Sequence, residues 1–151
     1  MTKLAEALIL RADCQKRLTQ LEQRLLRNAK VQQGDQPTEN PQALLGEINQ
    51  VAGELTDWIQ RINRTNIAVS LGDKSLADAL AQRDVLKLQQ GIYRRLAEAA
   101  SIVMNQYSRS EVRFESTVDV ATIQKRADEL AQAYRDLDAQ IQAVNWTADL
   151  L

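Results

Sequence analysis

Apolar residues recur at alternating spacings of three and four along most of this chain, the mark of helices that each hide one face. In residues 3 to 31 the stripe runs Leu4, Ala7, Arg11, Cys14, Leu18, Leu21, Leu25 and Asn28, with Arg11 and Asn28 as polar interruptions. The segment QQGDQPTENP, residues 32–41, breaks the period with Gly34, Pro37 and Pro41 and reads as a loop. Asn40 followed by Pro41 predicts an N-cap with proline at the first helical position. A second stripe then carries Leu44, Ile48, Val51, Leu55, Trp58 and Ile62 on one line.

A third helix opens where Ser75 and Asp78 stand three apart, as in a capping box, and extends to about Met104. Its expected buried stripe is Leu80, Val85, Leu88, Ile92, Leu96, Ala99 and Val103. Gly91 falls in its middle, where glycine costs about 1 kcal/mol against alanine and marks a close contact or a kink. The fourth helix is the most regular: after Asp119 as cap, Val120, Ile123, Ala127, Leu130, Tyr134, Leu137, Ile141 and Val144 fill successive seam positions. The pattern predicts an all-α fold, a single domain over residues 1–151, built as an elongated antiparallel bundle of about four long helices.

Two segments do not fit the helical period. NIAVSLGDK (66–74) and SEVRFESTV (110–118) are strand-like, and Val112, Phe114, Ser116 and Val118 alternate. If short loops reverse the chain each time, these segments lie at opposite ends of the third helix, roughly 40 Å apart at 1.5 Å per residue. Either they do not pair, or they pair with the copies of another subunit. The second option, with seams long enough to project past one bundle, leads us to expect a homo-oligomer.

The stretch RINRTN, residues 61–66, closes the second stripe with two arginines and two asparagines. Stepping about 100° per residue from Ile62 puts Asn66 at about 40° and Arg64 at about 200°, so Asn66 faces inward and Arg64 away. Asn145 follows Ile141 by four residues, just as Asn66 follows Ile62. Three readings follow, one of them a subunit contact built by these same groups. Asn66 and Asn145 are polar ends of parallel seams that specify alignment, with Arg61 and Arg64 paired to neighbouring carboxylates. Alternatively Arg61, Asn63, Arg64, Asn66, Asn145 and Trp146 line a small pocket for an anionic ligand. The adjacent Arg83 and Asp84 in the third helix carry the same ambiguity.

Composition removes much chemistry. The 151 residues contain no histidine and one cysteine, which eliminates the commonest general base, histidine-containing zinc sites and any internal disulfide. Among acidic pairs spaced three apart on a helix only Glu54 and Asp57 suit a magnesium cage, and Asp57 falls on an outer face, so no metal or other cofactor is expected. The five glycines are scattered singly and form no phosphate loop. Nineteen basic against twenty acidic residues leave a net charge of -1, too balanced to hold a nucleic acid by counterion release. Tyr93 and Tyr107 with Arg94, Arg95, Arg109 and Arg113 interleave aromatic and basic groups, but Glu98, Glu111 and Glu115 neutralise them locally. The first residues are too polar for a signal or membrane span, so a cytoplasmic protein that does not enter a membrane is expected.

RINRTN, ALAQRDVLKL, YSRSEVRF, TVDVATIQKRADEL and the terminal RDLDAQIQAVNWTADLL, in this order, make the chain resemble a family of small bacterial proteins labelled septicolysin-like. The resemblance implies a predominantly helical protein of undetermined function, and makes Arg61, Asn63, Arg64, Asn66, Arg83, Asp84, Asn145 and Trp146 positions of interest. The label also implies a cytolysin, yet a pore former needs a membrane helix or a long alternating hairpin, and the sequence displays neither. The expected function is that of a self-associating or protein-interaction module, with a binder of small anions or an unusual hydrolase as the alternative and the membrane activity that the label implies as a weaker one.

Overall fold

The computed structural model describes residues 1–101 and 112–151. Among the described residues the chain forms helix α1 (Leu4–Arg27), helix α2 (Pro41–Ala68), strands β1 (Ser70–Leu71) and β2 (Lys74–Ser75), helix α3 (Leu76–Ala100) and helix α4 (Val120–Thr147). The fold is mostly helical: four long helices, packed antiparallel within each compact unit, and a tiny hairpin of the two strands. Two compact units divide the chain: residues 1–75 with 142–151, and residues 76–141.

In the first unit, α1 and α2 close on each other as the two stripes require. Cys14, Leu21, Leu44 and Val51 are buried, with Leu18, Leu25, Ile48, Leu55 and Trp58 packed against them. Arg17 reaches Glu54 at 3.2 Å, and further along α1 Arg24 grips Glu39, just before α2. These rungs, rising in one helix while falling in the other, set the antiparallel sense. Each large aliphatic side chain so buried contributes roughly 1.5–3 kcal/mol. Arg11, the first interruption of the α1 stripe, holds its Nε away from water with no hydrogen-bond partner among the described residues.

The turns follow from local chemistry. Asn28, the second interruption, ends α1: its Nδ2 donates to the Arg24 carbonyl at 2.8 Å, and its Oδ1 accepts from the Glu39 amide at 3.0 Å. The loop between carries Gly34 at φ 92°, a conformation that side chains resist. Asn40 caps α2 as expected, its side chain accepting from the Gln42 amide at 2.9 Å with Pro41 at the first position. Arg24 donates from both Nε and Nη2 to Glu39, which holds the Glu39 carboxyl below its ordinary range and the guanidinium above its own.

The first strand-like segment pairs with itself. Helix α2 continues to Ala68, and Ser70 then pairs with Ser75 and Leu71 with Lys74 across Gly72-Asp73. Gly72 has φ 64° and Asp73 does not have positive φ, the sign pattern of a type II′ hairpin turn. The pairing dilemma posed by the sequence dissolves here, because a two-residue glycine turn folds the segment onto its own second half. The second segment forms no strand over residues 112–118. Ser116 Oγ instead donates to the Val118 carbonyl at 2.6 Å and accepts from its amide at 3.3 Å, a local turn that competes with extension. Its first two residues, the expected end of α3 at Val103 and Met104, and Tyr107 and Arg109 lie outside the described residues.

In the second unit α3 and α4 are tied by Arg83, whose Nη1 meets Asp138 at 3.0 Å. Helix α4 matches its seam: Ala127, Leu130 and Ile141 are buried, and Val120, Ile123, Tyr134, Leu137 and Val144 are half-buried. Asp119 precedes it and accepts from the Thr122 hydroxyl at 2.9 Å. Helix α3 departs from expectation. Its buried positions are Leu76, Ala79, Gly91 and Ala97, whereas Val85, Leu88, Ile92, Leu96 and Ala99 face solvent. The helix is apolar on two sides: Leu76, Ala79 and Ala97 take the interior, and Gly91 is covered by the side chain of Arg95.

Candidate functional site

Two places concentrate side chains whose placement is more than packing: the end of α2 with the C-terminal tail, and the outer face of α3. At the first, the chain continues beyond α4 into a tail fastened at several points. The Leu4 amide donates to the Ala148 carbonyl and the Leu150 amide to the Thr2 carbonyl, each at 2.9 Å. Lys3 and Asp149 form an isolated antiparallel bridge, and Lys3 Nζ lies 2.6 Å from the Asp149 carboxylate. That contact holds the Asp149 carboxyl below its ordinary range. Leu150 is buried.

The RINRTN stretch supplies the other anchor. Arg61 donates from Nε to the main-chain oxygen of Leu151 at 3.1 Å and lies 5.4 Å from the centroid of the Trp58 ring, within cation–π range. Asp57, one turn back, is 4.0 Å from its Nη1. Thr65 is fully buried: its hydroxyl donates to the Arg61 carbonyl at 2.8 Å and accepts from the Leu151 amide at 3.0 Å. A buried hydroxyl with both capacities used stabilises where an unpaired one would cost roughly 1–3 kcal/mol.

Of the residues singled out from sequence, Asn66 is half-buried beside Thr65, while Asn63 and Arg64 are exposed. Asn145 is buried as its place in the seam requires, its Nδ2 3.5 Å from Gln142 Oε1, and Trp146 is largely exposed. Arg61 is thus held against the tail, whereas Asn63 and Arg64 point elsewhere. Arg83 and Asp84 lie in the other unit, where Arg83 serves Asp138 and only grazes Asp84 at 3.4 Å. Sequence reasoning missed Thr65, Lys3 and Asp149. Thr65 follows Ile62 by three, so the same three-or-four spacing that selected Asn66 admits it equally.

The outer face of α3 is of a different kind. Val85, Leu88, Ile92 and Leu96 are 59, 68, 58 and 39% exposed and follow one another at helical spacing, with Ala81 and Ala99 exposed at either end. Beyond Leu96 the stripe meets Phe114, also exposed, across an open cleft of about 570 Å³ that Ala99, Ala100, Ser101 and Ser116 help to line. Isolated apolar residues on a surface are ordinary; four large ones in a continuous row form an exposed apolar patch.

A family model described as "Family of unknown function (DUF6847)" matches residues 11–150. The chain belongs to this family. The crystal structure of a functionally unknown conserved protein from Corynebacterium diphtheriae is similar at 43% sequence identity, with 99% of each chain covered and a TM-score of 0.93. No curated protein matches. The DUF6847 match spans RINRTN, Asn145, Trp146 and the whole of α3, and its description gives none of them a role. Among the described residues no group of three or more His, Cys, Asp or Glu could hold a metal ion, and no helix is long and apolar enough to cross a membrane.

Proposed function

We propose that this DUF6847 protein is a cytoplasmic interaction module that associates with itself through the outer face of α3, rather than an enzyme. The observation that carries the reading is the row Val85, Leu88, Ile92 and Leu96, each large, apolar and open to solvent on a helix whose opposite side is already packed. Covering such a row releases the water along it and contributes roughly 25 cal/mol for each Å² of apolar surface removed. The polar cluster at the end of α2 supports the same reading, since Arg61 and Thr65 are spent on Leu151 and leave a ligand fewer free donors. The membrane lysis implied by the septicolysin label finds no comparable feature.

Sedimentation equilibrium tests the proposal. The native chain should sediment above its monomer mass at micromolar concentration, and the Leu88→Asp/Ile92→Asp variant should sediment as a monomer with unchanged helix content. A monomeric native chain, or an oligomer that the double substitution leaves intact, would refute it.

A further inference from the structure

We infer that the partner of this face is the same face of a second copy, with the two α3 helices running antiparallel about a two-fold axis near Gln90. The inference rests on the reading of α3 as the associating surface and adds who meets whom. A copy could dock α3 onto some other face of its neighbour, a heterologous contact that leads to rings or filaments; an isologous contact closes at two. The distribution of side chains on α3 decides between them.

Stepping about 100° per residue from Ile92, the stripe of Ala81, Val85, Leu88, Ile92, Leu96 and Ala99 stays within about 40° of its mid-line. The stripe is nearly palindromic in size: alanines close both ends, a large aliphatic residue stands inside each, and Leu88 and Ile92 bracket the centre. Two such stripes laid antiparallel put Ala81 against Ala99, Val85 beside Leu96, and Leu88 against Ile92, each pairing occurring twice. Every small end then meets a small end, so the helices approach evenly along the row. Phe114, exposed and across the cleft from Leu96, extends the apolar area at each end of the pair.

Charge selects the same arrangement. Asp84 and Arg95 sit on one flank of the stripe, at about -80° and -60°, while the other flank carries the neutral Gln82 and Gln89 at about 80° and 60°. Under an antiparallel two-fold, like flanks meet, so Asp84 of each copy faces Arg95 of the other. Under a parallel two-fold, the charged flank would face the glutamines and gain nothing. The Asp84 side chain is 69% exposed, and its neighbour Arg83 reaches it from Nε and Nη2, each at a long 3.4 Å. Arg95 lies back across Gly91, with Nη1 3.0 Å from where a β-carbon there would stand. The missing side chain lets the guanidinium hug the helix at the edge of the stripe. An exposed acid and an exposed base, on one flank and equidistant from the centre of an apolar row, form a self-complementary pattern.

The test compares the native chain with Asp84→Arg, Arg95→Asp and the double reversal by sedimentation equilibrium. Each single reversal places two like-charge contacts in the dimer and should raise the dissociation constant about tenfold or more; the double reversal should return it close to the native value. Spin labels at Glu98→Cys, with the buried Cys14 left in place, should lie roughly 24 Å apart along the helix axis, sixteen residues at 1.5 Å each. A parallel pair would bring the labels level with each other. If the native chain is a dimer dispersed by the Leu88/Ile92 substitution, but the double reversal does not restore association or the labels lie level, this arrangement is wrong while α3 remains the interface. Assemblies larger than a dimer would likewise overturn it.

Discussion

Helices α3 and α4 carry apolar stripes that look alike in sequence and meet opposite fates. In α4, Ala127, Leu130 and Ile141 are sealed from water, and the other seam residues are half-covered. In α3, Val85, Leu88, Ile92 and Leu96 stand in solvent while Leu76, Ala79, Gly91 and Ala97 take the interior. The difference lies in the remainder of each helix. Around its stripe α4 is polar, with Lys125, Arg126, Asp128, Glu129, Arg135 and Asp136 all exposed, so only one side can be buried. Helix α3 offers two apolar sides, and only one of them is covered within the chain. Regular spacing thus marks an apolar stripe without saying whether its own chain covers it.

Substitutions sharpen that contrast. The largest effect is expected from Ile141→Ala, which leaves a cavity at a fully buried site and should cost about 2–5 kcal/mol by chemical denaturation. Ala97→Leu, which forces bulk into a buried position of α3, should cost about 1–3 kcal/mol, since the longer side chain must displace what covers the alanine. Gly91→Ala should act oppositely, stabilising by up to about 1 kcal/mol in thermal melts, because the atom in its way is the far end of the flexible Arg95 side chain. Val85→Ala should change the stability of the isolated chain by no more than about 0.5 kcal/mol when measured at dilution, as befits an exposed site. If Val85→Ala proved as damaging as Ile141→Ala, the two stripes would not differ in burial.

Acid probes the other unit. Glu39 and Asp149 have pKa values lowered by hydrogen bonds from Arg24 and Lys3, so the unfolded chain takes up protons at higher pH than the folded one. Their contribution is therefore fully present above the ordinary carboxylate range and lost as pH falls through the lowered values. Solvent reaches both pairs and trims the effect, so the expected outcome is a shallow drop in melting temperature across that window, reduced in Glu39→Gln and in Asp149→Asn.

Local chemistry was legible along the chain. The Asn40-Pro41 start of α2, the Asp119 start of α4, the α1 and α2 stripes and the complete α4 seam followed from period and capping, because those signals act within a few residues. The inward turn of Asn145 followed for the same reason, as the last step of a strict seam. Other features depended on which distant groups arrived. Thr65 outranks Asn66 as the buried end of α2 because the Leu151 amide comes to meet its hydroxyl. Lys3 joins Asp149 because the two ends of the chain run side by side. The choice between the two sides of α3 was likewise tertiary. A helix's periodicity depends on its own residues alone, whereas which of its apolar sides is covered depends on the neighbour.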